Sequence, residues 1–294
     1  MLREFEPHII DTHVHIGNDL HRDGGLDRQY NLRDLPQSPF SVVGKSHFLS
    51  FVPEGINNFG SMTLNEGFNA ENVYVTAKEM SNPWVVWGPT LNASAHIEAT
   101  ASDQAWKKLF EGAWCNESVS VLDEKGNLRV QAIETLEAIK ESNAIFATGH
   151  LSSREVMKIV DKAIDIGVRS IVLTHVSSRH NRLSIDEQKE LIQIGEQKGV
   201  SVYAEHCAIT WIDGKPDAYN FKDDFVKPIQ QVGPEHCILS SDCGRIVPFD
   251  SNKPVTPFDC LSLFINLLQD YGITRNGIYQ MVVSNPQKLL GILV

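Results

Sequence analysis

Two histidines separated by one residue end an apolar run near the start of the chain, in the stretch IIDTHVHIG at residues 9–17. In a β-strand, side chains two positions apart share a face, so Asp11, His13 and His15 are expected to enter one space. Neutral imidazole nitrogens are among the commonest ligands of divalent metal ions in proteins. The pair therefore indicates a metal site at the end of this strand.

Later strand-like segments also end in titratable side chains. The second segment ends with Lys45 and His47, and single groups end the fifth, sixth and eighth segments, namely His150, His175 and Asp242. A single histidine at a strand end usually has a structural role. If all of these groups were structural, only chance would place them at the same end of their strands, so a shared metal site is favoured. The predicted metal ligands are His13, His15, His150, His175 and Asp242. This ligand set favours zinc, as one or two ions, although manganese, iron, cobalt or nickel would accept similar ligands.

The elements that must position these residues alternate along the chain. The helical segments at 152–167 and 184–199 each have a serine cap, apolar residues in helical spacing and a closing glycine. Between such segments lie eight strand-like runs, at 9–17, 41–47, 59–67, 83–90, 144–150, 168–176, 200–209 and 236–244.

This alternation predicts an α/β fold, a distorted (β/α)8 TIM barrel of parallel strands. Residues 18–40 and 91–128 are weakly periodic and are predicted to be long loops over the carboxyl-terminal face. Residues 1–294 are predicted to form a single domain, since barrels of this length commonly do. In such a barrel, chemistry is built at the carboxyl ends of the strands.

Composition limits the class of protein. Of 294 residues, 42% are hydrophobic and 21% charged, and the net charge of −11 would repel a nucleic-acid backbone. No apolar stretch is long enough to cross a bilayer, and the amino terminus does not have the pattern of a secretory signal. The five cysteines are odd in number and lack CxxC spacing, so they are predicted to be reduced. We therefore expect a cytoplasmic protein without nucleic-acid or membrane partners.

Several motifs together resemble the amidohydrolase superfamily of metal-dependent hydrolases. They are IIDTHVHIG, TGHLS, LTHVS, SSDCG and the closing SNPQKLLG, and they cover nearly the whole chain. The segments VVGKSH, LNEG and VVWGPTLNASAH are similar to a branch described only as metal-dependent hydrolases. The resemblance implies a distorted barrel in which the histidines of the first, fifth and sixth strands and the aspartate of the eighth bind one or two metals. It also implies a homo-oligomer.

One feature departs from the superfamily pattern. Many binuclear members carry a carbamylated lysine on the fourth strand, where this chain has Thr90. Lys45, on the second strand, could be carbamylated and bridge two metals, or it could remain an ammonium that binds a substrate carboxylate, or it could lie at the surface. The strand-like character of SVVGKSH favours an active-site lysine of either kind. Glu66 could also bridge, or it could cap the following turn.

The resemblance also implies the chemistry, which is hydrolysis of a small polar substrate at an amide, cyclic amide, lactone or ester bond. A bound divalent ion lowers the pKa of its water from about 15.7 toward about 7, and Asp242 is expected to take the proton and return it to the leaving group. Predicted substrate contacts are His47, Glu66, His96 and His206. Glu205 and His206 alternate faces of the seventh strand, so only one of them is expected to face the site.

Other functions stay open. The alternative to hydrolysis is a metal-dependent nonoxidative decarboxylase, because related barrels with one metal and no fourth-strand lysine perform that reaction. Phosphoester cleavage is a third possibility. A further alternative of another class is a protein that binds a metal or small ligand without turnover.

Overall fold

The structure is a computed structural model that describes residues 8–16, 40–53, 58–81, 83–104, 118–178, 183–212, 219–244 and 256–292. The predicted loop at 18–40 lies, except for Phe40, outside the described residues. Of the predicted loop at 91–128, residues 105–117 lie outside them, and the described part contains a helix at Ser94–Thr100.

The strands pair in parallel throughout, as the alternating pattern predicts. They form two hydrogen-bonded sheets, of order β1-β2-β3 and β4-β5-β6-β7-β8-β9. Their bounds are β1 Ile10–His15, β2 Ser41–Lys45, β3 Asn58–Phe59, β4 Ser61–Thr63, β5 Val85–Trp87, β6 Ile145–Ala147, β7 Ser170–Leu173, β8 Ser201–Cys207 and β9 Cys237–Ser240. Each of the eight predicted strand regions is therefore confirmed, with β3 and β4 as two parts of the third.

Two seams join the sheets into a ring. At the first seam, the Ser61 hydroxyl donates to the Gly44 carbonyl at 2.7 Å, which ties β4 to β2. At the second, the amide of His15 donates to the carbonyl of Cys243 at 2.7 Å, and the amide of Asp242 donates to the carbonyl of His13 at 2.8 Å. The predicted distorted barrel is confirmed.

Helices follow most strands and pack on the outside of this ring. The predicted helices at 152–167 and 184–199 are confirmed as α4 and α5; each begins with a serine capping box and ends at a left-handed glycine. The helices are α1 Ala70–Ala77, α2 Ser94–Thr100, α3 Val130–Glu141, α4 Ser153–Ile166, α5 Ile185–Lys198, α6 Ala208–Ile212, α7 Lys227–Val232, α8 Pro257–Asp270, α9 Arg275–Tyr279 and α10 Asn285–Leu290. π-Helical turns precede α7, at Lys222–Val226, and α10, at Gln280–Ser284.

Two hydrophobic clusters lie on opposite sides of the strands. The larger one lies between the strands and the helices. The smaller one takes residues from nearly every strand and from α10, so it fills the barrel interior: Ile10, Val43, Val85, Trp87, Ile145, Ala147, Val172, Tyr203, Ile238, Leu289 and Leu290. It forms an apolar layer, to which α10 contributes, while the polar residues collect at the carboxyl ends of the strands.

An irregularity in β1 changes the predicted faces. The pairing of β1 with β2 shifts register between Asp11 and Val14. Ile10 packs in the interior cluster, whereas Val14 packs in the outer one, although an unbroken strand would place both on one face. The prediction that Asp11 shares the face of His13 and His15 is therefore wrong. Asp11 instead accepts hydrogen bonds from the backbone amides of His13 and Ser241.

The prediction that all cysteines are reduced is also wrong. Cys243 and Cys260 form a disulfide that ties the segment after β9 to α8, while Cys207 and Cys237 are free and buried. Sequence spacing carried no sign of this bond, because the two residues meet only through the packing of α8 beside the end of β9. In the described part of the chain, no helix has the length and apolarity that crossing a membrane requires.

Candidate metal centre

The Asp242 carboxylate lies against three histidines at the carboxyl ends of β1 and β7. Its Oδ1 is 3.0 Å from Nε2 of His13 and 2.9 Å from Nε2 of His15. Its Oδ2 is 3.5 Å from Nε2 of His175. The fold thus brings together four of the five predicted ligands from three distant parts of the chain.

Unusual backbone conformations aim two of these side chains. His175 and Asp242 follow their strands directly and have φ of 53° and 52°, in the left-handed region that few residues other than glycine adopt. Such conformations cost of order 1–3 kcal/mol and persist where the surrounding structure holds them. Gly244, with φ of 103°, completes the turn, and a Cβ there would lie 1.8 Å from the His15 carbonyl oxygen.

Lys45 is fully buried inside the barrel mouth. Its Nζ is 2.9 Å from Nε2 of His13 and 4.4 Å from the centre of the Trp87 ring. The predicted surface position of Lys45 is therefore excluded. The other two alternatives, a carbamate and an ammonium, both fit a side chain that ends beside a candidate ligand.

The opposite edge of the His13 ring faces β8. Its Nδ1 is 3.3 and 3.4 Å from the two carboxylate oxygens of Glu205 and 4.0 Å from the Cys207 sulfur. His13, His175 and Cys207 also form a group whose ligand atoms all lie within 4.8 Å of one another. Of Glu205 and His206, which the sequence pattern left as alternatives, His206 was predicted as the contact, and Cys207 was missed. The spacing of two between Glu205 and Cys207 on β8 places both on one face.

His47 lies beside this cluster. Its ring centre is 4.5 Å from that of His15, and its Nδ1 is 3.1 Å from the hydroxyl oxygen of Thr90. Asn65 holds both groups, because its amide nitrogen donates to the His47 carbonyl at 2.8 Å and to the Thr90 hydroxyl at 2.9 Å. Asn65 could not be identified from the sequence as a site residue, since an asparagine in a turn motif is usually a local backbone cap.

His96 and His150 form a second pair of imidazoles. The two rings stack with centres 4.9 Å apart, and their Nδ1 atoms are 3.0 Å apart. The centre of the His150 ring is 5.2 Å from that of His175, which connects the pair to the Asp242 cluster. The predicted loop residue His96 thus reaches the site from α2, where it is buried.

Two of the predicted substrate contacts, Glu66 and His206, lie away from the Asp242 cluster. Glu66 is exposed and lines a separate cavity of about 250 Å³ beside α1. His206 is buried on the other face of β8, with its Nδ1 3.1 Å from the Ser177 hydroxyl, because the side chain next to Glu205 must alternate outward. The structure brings neither residue to the Asp242 cluster.

Burial controls the protonation of the site. Burial, and then the nearby Lys45 charge, hold the pKa of His13 well below its usual range, so its ring is neutral. Burial raises the pKa of Asp11 to about 7 against hydrogen bonds that lower it. Burial also raises the pKa of the Cys207 thiol well above its usual value, with the charges of Glu205 and Asp242 adding to the effect.

The donor set fits a divalent ion. A neutral imidazole and a carboxylate are the ligands that zinc and its neighbours in the transition series prefer. Two such ligands of one ion, each about 2.1 Å from it, lie within roughly 4 Å of each other. Asp242 meets this condition with both His13 and His15. The three residues form one of the two groups in the described residues that could hold a metal, with ligand atoms all within 4.8 Å of one another.

The sequence matches one family model. Residues 8–197 match the model described as a family of unknown function, DUF6282. Since the match covers most of the chain, the protein belongs to this family. No curated protein matches the sequence.

Solved structures match over nearly the whole chain. The phosphotriesterase homology protein of Escherichia coli, solved with phosphate in its active site, has a TM-score of 0.52 at 13% identity, covering 97% of this chain and 100% of that one. The organophosphorus hydrolase of Deinococcus radiodurans has a TM-score of 0.48 at 12% identity, covering 96% and 92%. An amidohydrolase of Pseudomonas aeruginosa has a TM-score of 0.46 at 14% identity, covering 96% and 95%. The likeness to the Escherichia coli protein shows that the two proteins share a fold.

Proposed function

We propose that this protein is a metal-dependent hydrolase that cleaves an amide, cyclic amide, lactone or ester bond of a small polar substrate. The observation that carries this proposal is the approach of the Asp242 carboxylate to His13 and His15, at 3.0 and 2.9 Å. The fold shared with the phosphotriesterase homology protein of Escherichia coli supports it.

In this proposal His13, His15 and Asp242 hold one divalent ion, with zinc favoured, and His150 and His175 offer donors for a second. When bound, the ion supplies Lewis acidity, which polarises the substrate carbonyl and lowers the pKa of water at the site. Asp242 accepts the proton of the attacking water at a carboxylate oxygen and passes it to the leaving group. His47 and His96 lie beside the cluster and contact the substrate. Lys45 either carries a carbamate that would help to hold the metal or binds an anionic group of the substrate as an ammonium.

The proposal is tested with metal-loaded protein and a panel of small lactones, cyclic amides, esters and aromatic acids. We expect proton release from at least one lactone, cyclic amide or ester. We expect chelation to abolish it, and Asp242→Asn to reduce it by at least about 100-fold, which is the low end for a lost general acid or base. Asp165→Asn, which removes an exposed carboxylate 3.7 Å from Lys198 on the helical surface, should leave turnover unchanged.

Other outcomes would contradict hydrolysis. Carbon dioxide release from aromatic acids without hydrolysis would indicate a decarboxylase. Ligand binding that survives Asp242→Asn, with no turnover of any compound by the unmodified protein, would indicate a binding protein. Metal analysis and anomalous diffraction at the strand ends would give the element, the number of ions and the state of Lys45.

Cytoplasmic location and assembly into a homo-oligomer also belong to the proposal. A net charge of −11 favours small molecules over nucleic acid as partners. Light scattering at the concentration used for the assays tests the oligomeric state, and a monomer would overturn that part of the proposal.

A further inference from the structure

Glu205 is a carboxylate with no exposed surface, placed directly behind His13. Its two oxygens are 3.3 and 3.4 Å from Nδ1 of the His13 ring, and the Ser240 hydroxyl donates to its Oε1 at 2.9 Å. A buried carboxylate costs several kcal/mol unless it is hydrogen-bonded. Glu205 is therefore held in place by contacts from β1, which carries His13, and from β9, which precedes Asp242.

The partners on the two edges of the His13 ring require opposite roles from its nitrogens. A carboxylate only accepts hydrogen bonds, so Nδ1 must carry the hydrogen that it donates to Glu205. With Lys45 as an ammonium, which only donates, Nε2 of His13, 2.9 Å from the Lys45 Nζ, must present its lone pair. A neutral imidazole has a single N–H, and the contact with Glu205 thus leaves Nε2 free to face Asp242.

We propose that Glu205 is a positioning residue that holds His13 in the Nδ1-protonated form and thereby raises the affinity of the centre for its metal. Carboxylates in this position orient the imidazole and increase its basicity. Their loss typically lowers metal affinity by about 10- to 100-fold. The inference rests on the proposed metal site, but it concerns binding of the metal and is independent of which bond is cleaved.

The test measures the zinc affinity of metal-free protein by competition with a chelator. We expect Glu205→Ala to weaken zinc binding about 10- to 100-fold. Glu205→Gln should weaken it less, because the amide oxygen can still accept from Nδ1 although it has no charge. The matched control is Glu155→Gln, the same chemical change at another buried glutamate, which bonds Ser120 and Ser152 at the start of α4. It should leave zinc affinity within about twofold.

A second measurement reads the tautomer directly. In ¹⁵N-histidine-labelled, metal-free protein, the His13 ring should show a protonated Nδ1 and an unprotonated Nε2, with His13→Gln identifying its signals. In Glu205→Gln this preference should weaken, whereas in Glu155→Gln it should persist. A purely structural role for Glu205 would lower the unfolding free energy without changing either readout.

The outcomes separate this inference from the proposed function. Weakened zinc binding in the Glu205 variants supports the inference even if no substrate is ever turned over. Equal zinc affinity in wild-type and folded Glu205→Ala protein, or an Nε2-protonated His13, overturns it while leaving hydrolysis intact. If Glu205→Ala does not fold, the Glu205→Gln affinity and tautomer decide. Wild-type protein that binds no zinc overturns both.

Discussion

His13 is the residue at which most contacts of the site meet. Lys45 and Asp242 lie beside its Nε2, Glu205 lies beside its Nδ1, and the Trp87 ring packs 4.3 Å from its centre. Because Lys45, Glu205 and Trp87 are buried and the Asp242 side chain is only 13% exposed, each hydrogen bond is stronger than in water and each unpaired charge is more costly. A change at any of them is therefore expected to alter the metal affinity of the ring.

Asp11 gives a prediction about pH. The folded protein keeps the Asp11 proton up to a pKa of about 7, whereas the ordinary value is 3.8. Between these values the folded state binds more protons than the unfolded state, so the stability from this residue is lost as pH rises from about 4 to about 7. Asp11→Asn keeps the acceptor for the His13 and Ser241 amides but does not titrate. Relative to wild type, we expect it to gain roughly 4 kcal/mol of unfolding free energy across this interval.

The measurement is urea unfolding of chelator-treated wild-type and Asp11→Asn protein at several pH values. His206, whose pKa burial lowers to about 4, titrates in both proteins, so its contribution cancels in the difference. Parallel pH profiles for the two proteins would contradict the prediction.

At the scale of elements, the turns that follow the strands position the functional side chains more than the strands themselves do. His175 and Asp242 lie in left-handed turns that follow β7 and β9, and Gly149, with φ of 65°, precedes His150 after β6. A regular strand would alternate its side chains to either side of the barrel wall. These turns instead direct His150, His175 and Asp242 into the mouth of the barrel. The hydrogen-bonded seam between β1 and the segment after β9 holds the Asp242 turn against His13 and His15.

Substitution of Gly244 tests the importance of this seam. A Cβ at Gly244 would lie 1.8 Å from the His15 carbonyl oxygen, in addition to the strain of its φ of 103°. Gly67 has a similar φ of 110° but open space around the added atom. We expect Gly67→Ala to cost about 1–2 kcal/mol of unfolding free energy from backbone strain alone. Gly244→Ala should cost about 1–3 kcal/mol more, because the backbone around it must move.

Urea unfolding of both variants checks this difference, and zinc affinity provides a second readout. Gly67→Ala should bind zinc like wild type, whereas Gly244→Ala should bind it more weakly, because the displaced turn carries Asp242. Equal costs for the two substitutions would show that the seam tolerates the added atom.

At the scale of the whole molecule, the Cys243–Cys260 disulfide connects the end of the barrel to α8 across a separation of 17 residues. A cross-link that closes a loop of this length lowers the conformational entropy of the unfolded chain. It therefore stabilises the folded state by about 3 kcal/mol. We expect a reductant to lower the unfolding free energy of wild type by about this amount. Cys260→Ser should be destabilised to a similar degree and should not respond to the reductant.

A thiol titration in denaturant provides the check on the bond itself. With five cysteines in the chain and two in the disulfide, three thiols should react without reductant and five after reduction. Five reactive thiols without reduction would show that the bond does not form.

Much of the architecture follows from the sequence because it depends on local physics. Apolar runs of strand length, serine caps at 152 and 184 and closing glycines at 167 and 199 are readable one segment at a time. The histidines and Asp242 at the strand ends could be predicted to converge, since the carboxyl ends of parallel strands in a barrel meet at one face.

Only the tertiary structure decided the details that depend on contacts between distant segments. The register shift in β1 removes Asp11 from the face of His13, and the alternation of β8 directs Glu205 inward and His206 outward. The pairing of Cys243 with Cys260 and the position of Lys45 beside His13 likewise arise from packing. A single residue of register reverses the face of every side chain in a strand, and neither composition nor periodicity specifies that register.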